Sequence, residues 1–368
     1  MNRIPFYLTV FLLFFLPFVV FPIGSSQFEV PKVIVAQIAI ELLVLFRLLR
    51  HEKPNIPYPV LIGFLVLFSI SVLDLIFFRT PLSFFGNSYR LQGIFLFWHL
   101  LLFSIFADKN VLQHIGAKAL TCFLIIQLCG DFFFGVNVVG RSFGFLGEPN
   151  SLAAVALVVF PLLFIQKNSK KLVLFCFLLL TVLLIISGSR SGVMGFVIQA
   201  FFLFFSYRFP AKLSRITVIS FLLVLATVLT PYFLSNIHES RVEIWYAAVL
   251  SFIAHPIIGG GFGNIDLLLH EQSLRFASFI SARYVDSSHN IVLDMIVQSG
   301  IIGVGAFFLL LWNASMDFYQ KRNIVQTALL LGLLTVLLFN PVSVWVLLVF
   351  WYLLGQGIRF QNGERSPV

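Results

Sequence analysis

A chain of 368 residues that is 60% hydrophobic and 11% charged is too apolar for a water-soluble globule and too apolar to be disordered. It carries 46 Phe, a net charge of +9 and a mean hydropathy of +1.01. Its near-continuous apolar runs are about 17 to 23 residues long, enough for a helix to cross a hydrocarbon core, whereas strands of a membrane barrel alternate over about ten residues. The composition therefore predicts an all-α polytopic membrane protein.

In chain order the runs predict about twelve membrane helices. They fall near 5–23, 30–49, 58–78, 91–107, 111–129, 151–166, 171–187, 191–206, 213–234, 289–313, 324–339 and 341–357. The first is read as a retained span, because no small-residue cleavage site follows it. Cys122, Cys129 and Cys176 lie in or beside apolar runs, a setting for neither a disulfide framework nor a thiolate metal site.

The basic residues cluster between apolar runs, which points to membrane topology and not to nucleic acid. With the N-terminus in the cytoplasm, 16 of the 24 Lys and Arg fall in inside loops, and both termini are expected there. The other eight are Lys32, Arg79, Arg90, Arg141, Arg190, Arg241, Arg275 and Arg283. Arginine placed against the positive-inside bias suggests a task for a planar, permanently charged fork, and phosphate suits that fork. One outside loop, 235–288, is far longer than the rest, and its apolar stretch Ile244 to Ala254 suits an interface or the flank of the bundle.

Four segments at the outer boundary hold the candidate chemistry. Gly140-Arg141-Ser142-Phe143-Gly144-Phe145-Leu146-Gly147-Glu148-Pro149-Asn150 leads into a span, with Asn150 placed to cap it; the alternative is a capped turn with a snorkelling arginine. Ser187-Gly188-Ser189-Arg190-Ser191-Gly192 joins two spans and reads as an anion nest at a helix start, or as small-residue packing through Gly188 and Gly192. Arg241-Val242-Glu243-Ile244-Trp245 opens an apolar helix that His255-Pro256 and the Gly259 to Gly263 run close, and those glycines alone read as a flexible turn. Asp286-Ser287-Ser288-His289-Asn290 sets a histidine at a span mouth, either as a general base that Asp286 orients or as part of a polar cap.

The absences narrow the choice. There is no Asp-x-Asp pair, no His/Cys/Asp cluster at metal spacing and no nucleophile elbow. Within the spans the acids are Glu41, Asp74 and Asp294, thin for a proton relay. His51 and His114 fall on the inner side, His99 within a span, and His238, His255 and His270 in the long loop.

Taken in order, the Arg-Ser-Phe-Gly-Phe-Leu-Gly-Glu-Pro-Asn segment, Ser-Gly-Ser-Arg-Ser-Gly, Arg241 with Trp245, His255-Pro256 with its glycine run, Ser288-His289-Asn290 and Gly300-Ile301-Ile302-Gly303 resemble the O-antigen ligase and polymerase domain. The resemblance covers about 140–310. It implies an N-terminal set of membrane helices over 1–130, a ligase-like core over 131–315 and C-terminal helices with a tail over 316–368.

It also implies a glycosyltransferase of the bacterial cytoplasmic (inner) membrane. Such an enzyme moves a glycan from an undecaprenyl-diphosphate carrier to an acceptor hydroxyl of a lipid or glycan on the outer face, with no metal and no cofactor. Arg190 and Arg241 match the arginines that hold the donor diphosphate, and Arg141 is placed beside them as a further substrate-binding candidate. His289 matches the base. Gln298 stands where many members carry an acid. The other reading is a membrane transporter of a small anion or a lipid-linked glycan.

Overall fold

Hydrocarbon supplies no hydrogen-bond partner, so each apolar run closes its backbone bonds on itself as a helix. The computed structural model describes residues 3–77, 80–136, 140–165, 169–208, 239–274, 285–341 and 343–361. Among these, fifteen α-helices follow in order: α1 (Ile4–Val10), α2 (Glu29–Leu49), α3 (Tyr58–Phe77), α4 (Pro81–Phe85), α5 (Ile94–Phe106), α6 (Val111–His114), α7 (Ala117–Phe134), α8 (Pro149–Leu162), α9 (Lys170–Ser187), α10 (Arg190–Arg208), α11 (Glu239–Ala254), α12 (Ile265–Ser273), α13 (Ile291–Gln320), α14 (Ile324–Leu337) and α15 (Val344–Leu354). The first continues through a π turn and a 3-10 turn to Phe18. A two-stranded antiparallel ribbon pairs Lys53–Asn55 with Arg359–Gln361 and ties the loop after α2 to the segment after α15.

Among the described residues five helices are long and apolar enough to cross a membrane: α3, α7, α9, α10 and α13. The stretches Ile4–Phe18, α5, α8, α14 and α15 are shorter apolar helices. The run expected at 213–234 lies outside the described residues, as do Arg79, Arg275, Arg283 and His238. The run expected at 111–129 is divided. The extended Ile115 ends the short α6 segment, and α7 starts after the extended Gly116 and runs on to Phe134. The long loop contains two helices, α11 and α12, which pack on each other and on α13.

Two short helices form the centre. Every residue of α8 from Ser151 to Leu162 is buried, and so is nearly all of α15. A helix that is apolar all round belongs inside a bundle, which these two occupy. By contrast α9 exposes Leu174, Phe175, Leu178, Val182 and Ile185, the face a lipid-contacting helix presents. Polar side chains bind the bundle from within. Gln199 of α10 donates to the carbonyls of Leu157 at 2.9 Å and Ala328 at 3.0 Å, so one amide joins α8, α10 and α14. The indole of Trp345 donates to the Leu13 carbonyl in the π turn at 2.7 Å.

The feature that positions the segments around α11 and α12 is a break in α13. Gly300 has φ 62° and ψ −165°, a backbone region open essentially to glycine alone. The Gly-rich loop after α11 repairs the ladder there. Ile301 and Ile302 donate to the carbonyls of Pro256 and Ile257 at 2.9 and 3.3 Å, and the amides of Gly260 and Gly261 donate to Val297 and Gln298 at 2.9 and 3.1 Å. The same loop reaches back to the N-terminal helices. The Phe262 amide donates to Asp74 of α3 at 3.1 Å, and the Phe262 ring stacks on Phe97 of α5 at 4.4 Å. The flexible turn expected for these glycines is therefore a fixed splice.

Gly300→Ala tests the splice. A methyl there would run into the Ile257 carbonyl as well as strain the backbone. We expect it to lower the unfolding midpoint in detergent, with a destabilisation of about 1–3 kcal/mol or more. Gly305→Ala on the same helix meets open space and should leave the midpoint unchanged or slightly higher.

Candidate functional site

The first two motifs fold as one unit. Arg141 lies in the loop after α7, and its guanidinium donates from Nε to the Ser187 carbonyl at 2.8 Å and from Nη2 to Asn150 Oδ1 at 3.0 Å. Ser189 Oγ donates to the same Asn150 oxygen at 2.9 Å and accepts the Gly192 amide at 3.2 Å, covering an open donor of the first turn of α10. Asn150 is thus a joint between segments and not the cap expected from its position. The cap position of α8 is held by Glu148. Gly192 does serve close packing, since a methyl there would meet the Ala153 methyl at 2.5 Å.

Arg190 opens α10 and is exposed. Arg241 lies in the first turns of α11 and is partly exposed. The three arginines act on one another through space. Burial holds the Arg141 guanidinium below its ordinary value, and the charges of Arg190 and Arg241 push it lower. Burial followed by the charge of Arg190 does the same to Arg241. Among the described residues no carboxylate pairs with Arg190 or Arg241. A group of like charges at the start of α10, with its positive helix end, is a place that favours a polyvalent anion.

His289 stands next to this group, in the loop just before α13. Its φ of +60° is left-handed, an uncommon and costly conformation for a side chain of this size. Neighbouring bonds hold it there. Ser288 donates to Asp294 Oδ1 from its amide at 2.7 Å and from its hydroxyl at 2.5 Å, and the His289 amide donates to Ser287 Oγ at 2.9 Å. The Trp245 indole, one turn along α11 from Arg241, donates to the Ser288 carbonyl at 3.1 Å. Asn290 caps α13 by accepting the amides of Val292 and Leu293. Burial pushes the imidazole down to about 4, with Asp286 raising it and Arg241 and Arg90 lowering it further. The ring is neutral at physiological pH.

Asp286 does not hydrogen-bond the imidazole as its sequence position suggests. Its carboxylate accepts from Arg90 Nε, and Arg90 Nη2 donates to Glu148 Oε1 at 2.5 Å. Arg90 stands out in the sequence only as one of the outward arginines. Its partners lie 58 and 196 residues away, so no local pattern marks the pairing. Gln298 also has a defined place: its Oε1 accepts the Gly263 amide at 3.1 Å and its Nε2 donates to the Asp294 carbonyl at 3.0 Å. The two ends of one amide fill a position that a carboxylate, with no donor, would fill only in part. The remaining span acids are structural: Asp74 holds the glycine loop, Asp294 holds Ser288, and Glu41 meets His99 at 3.1 Å. His255, just after α11, and His270, on α12, are exposed.

This charge arrangement makes a direct prediction. Inorganic pyrophosphate should raise the thermal midpoint of the detergent-solubilised protein, reaching about 2.7 kcal/mol at a hundred times its Kd, and chloride at equal ionic strength should not. Arg190→Ala and Arg241→Ala should each remove most of the effect.

Residues 174–308 match a family model described as O-antigen ligase. A search among curated proteins finds no match. The matched segment runs from α9 into α13 and contains Arg190, Arg241 and His289, whereas Arg90 and Arg141 lie before it. Over residues 174–308 the chain is therefore similar to the O-antigen ligase family.

Proposed function

We propose that this protein transfers a glycan from an undecaprenyl-diphosphate carrier to an acceptor hydroxyl on the outer face of the bacterial cytoplasmic membrane. The family assigns glycan transfer of the O-antigen ligase or polymerase type in general. The observation that carries the finer reading is the group of Arg141, Arg190 and Arg241, in which the charge of Arg190 lowers the pKa of both Arg141 and Arg241, beside a neutral His289.

In this reading the acceptor oxygen attacks the anomeric carbon while His289 takes its proton. The bond from that carbon to the phosphate oxygen breaks, and undecaprenyl diphosphate leaves with the electron pair. Arg190 and Arg241 stand where that negative charge grows, with Arg141 behind them. A base whose pKa is about 4 is weak in the empty site. Arg241 is one cause of that weakness, and a bound diphosphate would offset its charge. Donor binding would then raise the basicity of His289 when an acceptor is needed. The few acids in the apolar spans, Glu41, Asp74 and Asp294, are each engaged in the fold, which supports a transferase over a transporter.

Transfer assayed with a purified lipid-linked donor tests the roles. Arg190→Ala and Arg241→Ala should abolish turnover with the protein still inserted, and Arg→Lys should restore only part, since an ammonium cannot make the bidentate contact. His289→Ala should lower turnover about 10²–10⁴-fold. His289→Gln keeps a donor but is no base at neutral pH; near-normal turnover in that variant ends the base assignment. Because the neutral ring is the active form and its pKa in the empty site is about 4, kcat/KM of the wild type for the donor, which reads the free enzyme, should be nearly flat from pH 6 to pH 8. A rise centred near the ordinary imidazole value of about 6.5 would count against it.

Orientation rests on the basic-residue bias and has its own test. In a background without the native cysteines, a cysteine at His270 should react with an impermeant reagent added outside intact spheroplasts. One at Lys321 should not. The reverse pattern would put the arginines on the wrong face.

A further inference from the structure

Arg90 sits in the turn between α4 and α5, outside the segment that the family model matches, and it is 5% exposed. Its backbone amide donates to Asn87 Oδ1 at 2.8 Å, which fixes the turn. Its guanidinium joins two loops: Glu148 from the segment that carries Arg141, and Asp286 three residues before His289. Burial opposes the charge, but Glu148 and Asp286, together with Glu29, outweigh it and raise the Arg90 pKa above its ordinary value.

The charged groups that face His289 come from three elements. Asp286 lies on its own loop, Arg241 on α11 and Arg90 on the turn before α5. Asp294 of α13 lies beneath the loop, with its Oδ1 occupied by Ser288. Asp286 is therefore the acid whose charge favours a protonated imidazole, and its Oδ2 is engaged by Arg90.

We propose that Arg90 is a positioning residue that keeps Asp286 from pairing with His289, so that the imidazole stays unprotonated and free to accept a proton. The proposal rests on the glycan-transfer reading above. It predicts that loss of the guanidinium does more than loosen the loops. Asp286, released, would turn to the imidazole and hold a proton on it. A carboxylate left buried without its cation is unstable, and a neighbouring imidazolium is the nearest remedy.

The test combines two readouts on the full chain in detergent or nanodiscs. The first is the His289 titration by NMR of isotope-labelled histidine, assigned by loss of the signal in His289→Gln. The second is the pH profile of transfer. In Arg90→Gln the imidazole should titrate higher. If it reaches about 7, the rate at pH 6 relative to pH 8 should fall about tenfold. Adding Asp286→Asn to Arg90→Gln should return both the titration and the profile to the wild-type position, a rescue that simple loop damage would not give. If Arg90→Gln does not insert, Arg90→Lys reads the same coupling, because an ammonium serves the two acids less completely and should give a smaller shift in the same direction. An imidazole that titrates as in wild type in the inserted variant, or a double variant that is not restored, overturns the proposal. A raised imidazole pKa with an unchanged transfer profile would sustain the control of His289 by Arg90 and instead remove His289 from the reaction.

Discussion

The rest of this structure depends on how the chain satisfies its backbone where α13 breaks. A gap in a helical ladder within hydrocarbon is tolerated only where protein fills it. Here the Gly-rich loop after α11 supplies two carbonyls and two amides to the turns around Gly300. Because the loop is bonded into α13 and its Phe262 amide is bonded to Asp74 of α3, α11 has a fixed place against the bundle. Arg241 rides on α11, and so does Trp245, which holds the loop of His289. The candidate site thus inherits its geometry from a repair of the membrane helix beneath it.

Charge is arranged on the same scaffold in two opposite ways. Arg90 is buried between Glu148 and Asp286, whereas Arg141, Arg190 and Arg241 lower one another's pKa values or act as the source of that lowering. A buried ion pair is weak evidence of added stability but fixes which segments meet. Clustered like charges cost stability until an anion arrives. One arginine thus ties loops together through two acids, while the other three stand close enough for their like charges to act through space. His289 lies between them and feels both, held in a left-handed conformation by bonds to its neighbours.

Sequence patterns single out residues more readily than they show how those residues are paired. Arg190, Arg241, His289 and Arg141 stand out because the arginines are expected on the outer side, against the charge bias, and because the motifs sit at expected span ends. The structure brings them into one electrostatic neighbourhood. Asn150 and Asp286 are assigned to their nearest neighbours by sequence, as cap and as orienting acid, and both assignments change: Asn150 joins Arg141 to Ser189, and Asp286 turns to Arg90. Each error has the same origin, since a short polar side chain can bond locally or at a distance and the sequence exposes only the local choice.

What the sequence determined by itself is the class of solvent and the local states that follow from it. Long apolar runs require a bilayer, a bilayer requires closed backbone bonding, and that gives helices with their polar residues at the ends. The polar cap that the sequence offers around His289 is made by Asn290, which accepts the amides of Val292 and Leu293. Only the tertiary structure decided which helices lie inside, that the glycine run is a splice, and that Arg90 takes its acids from two distant loops. The physical reason is range. Hydrophobic periodicity and capping act within a turn or two of chain, whereas the partner of a buried charge or an open carbonyl is fixed by which segments packing has already brought together.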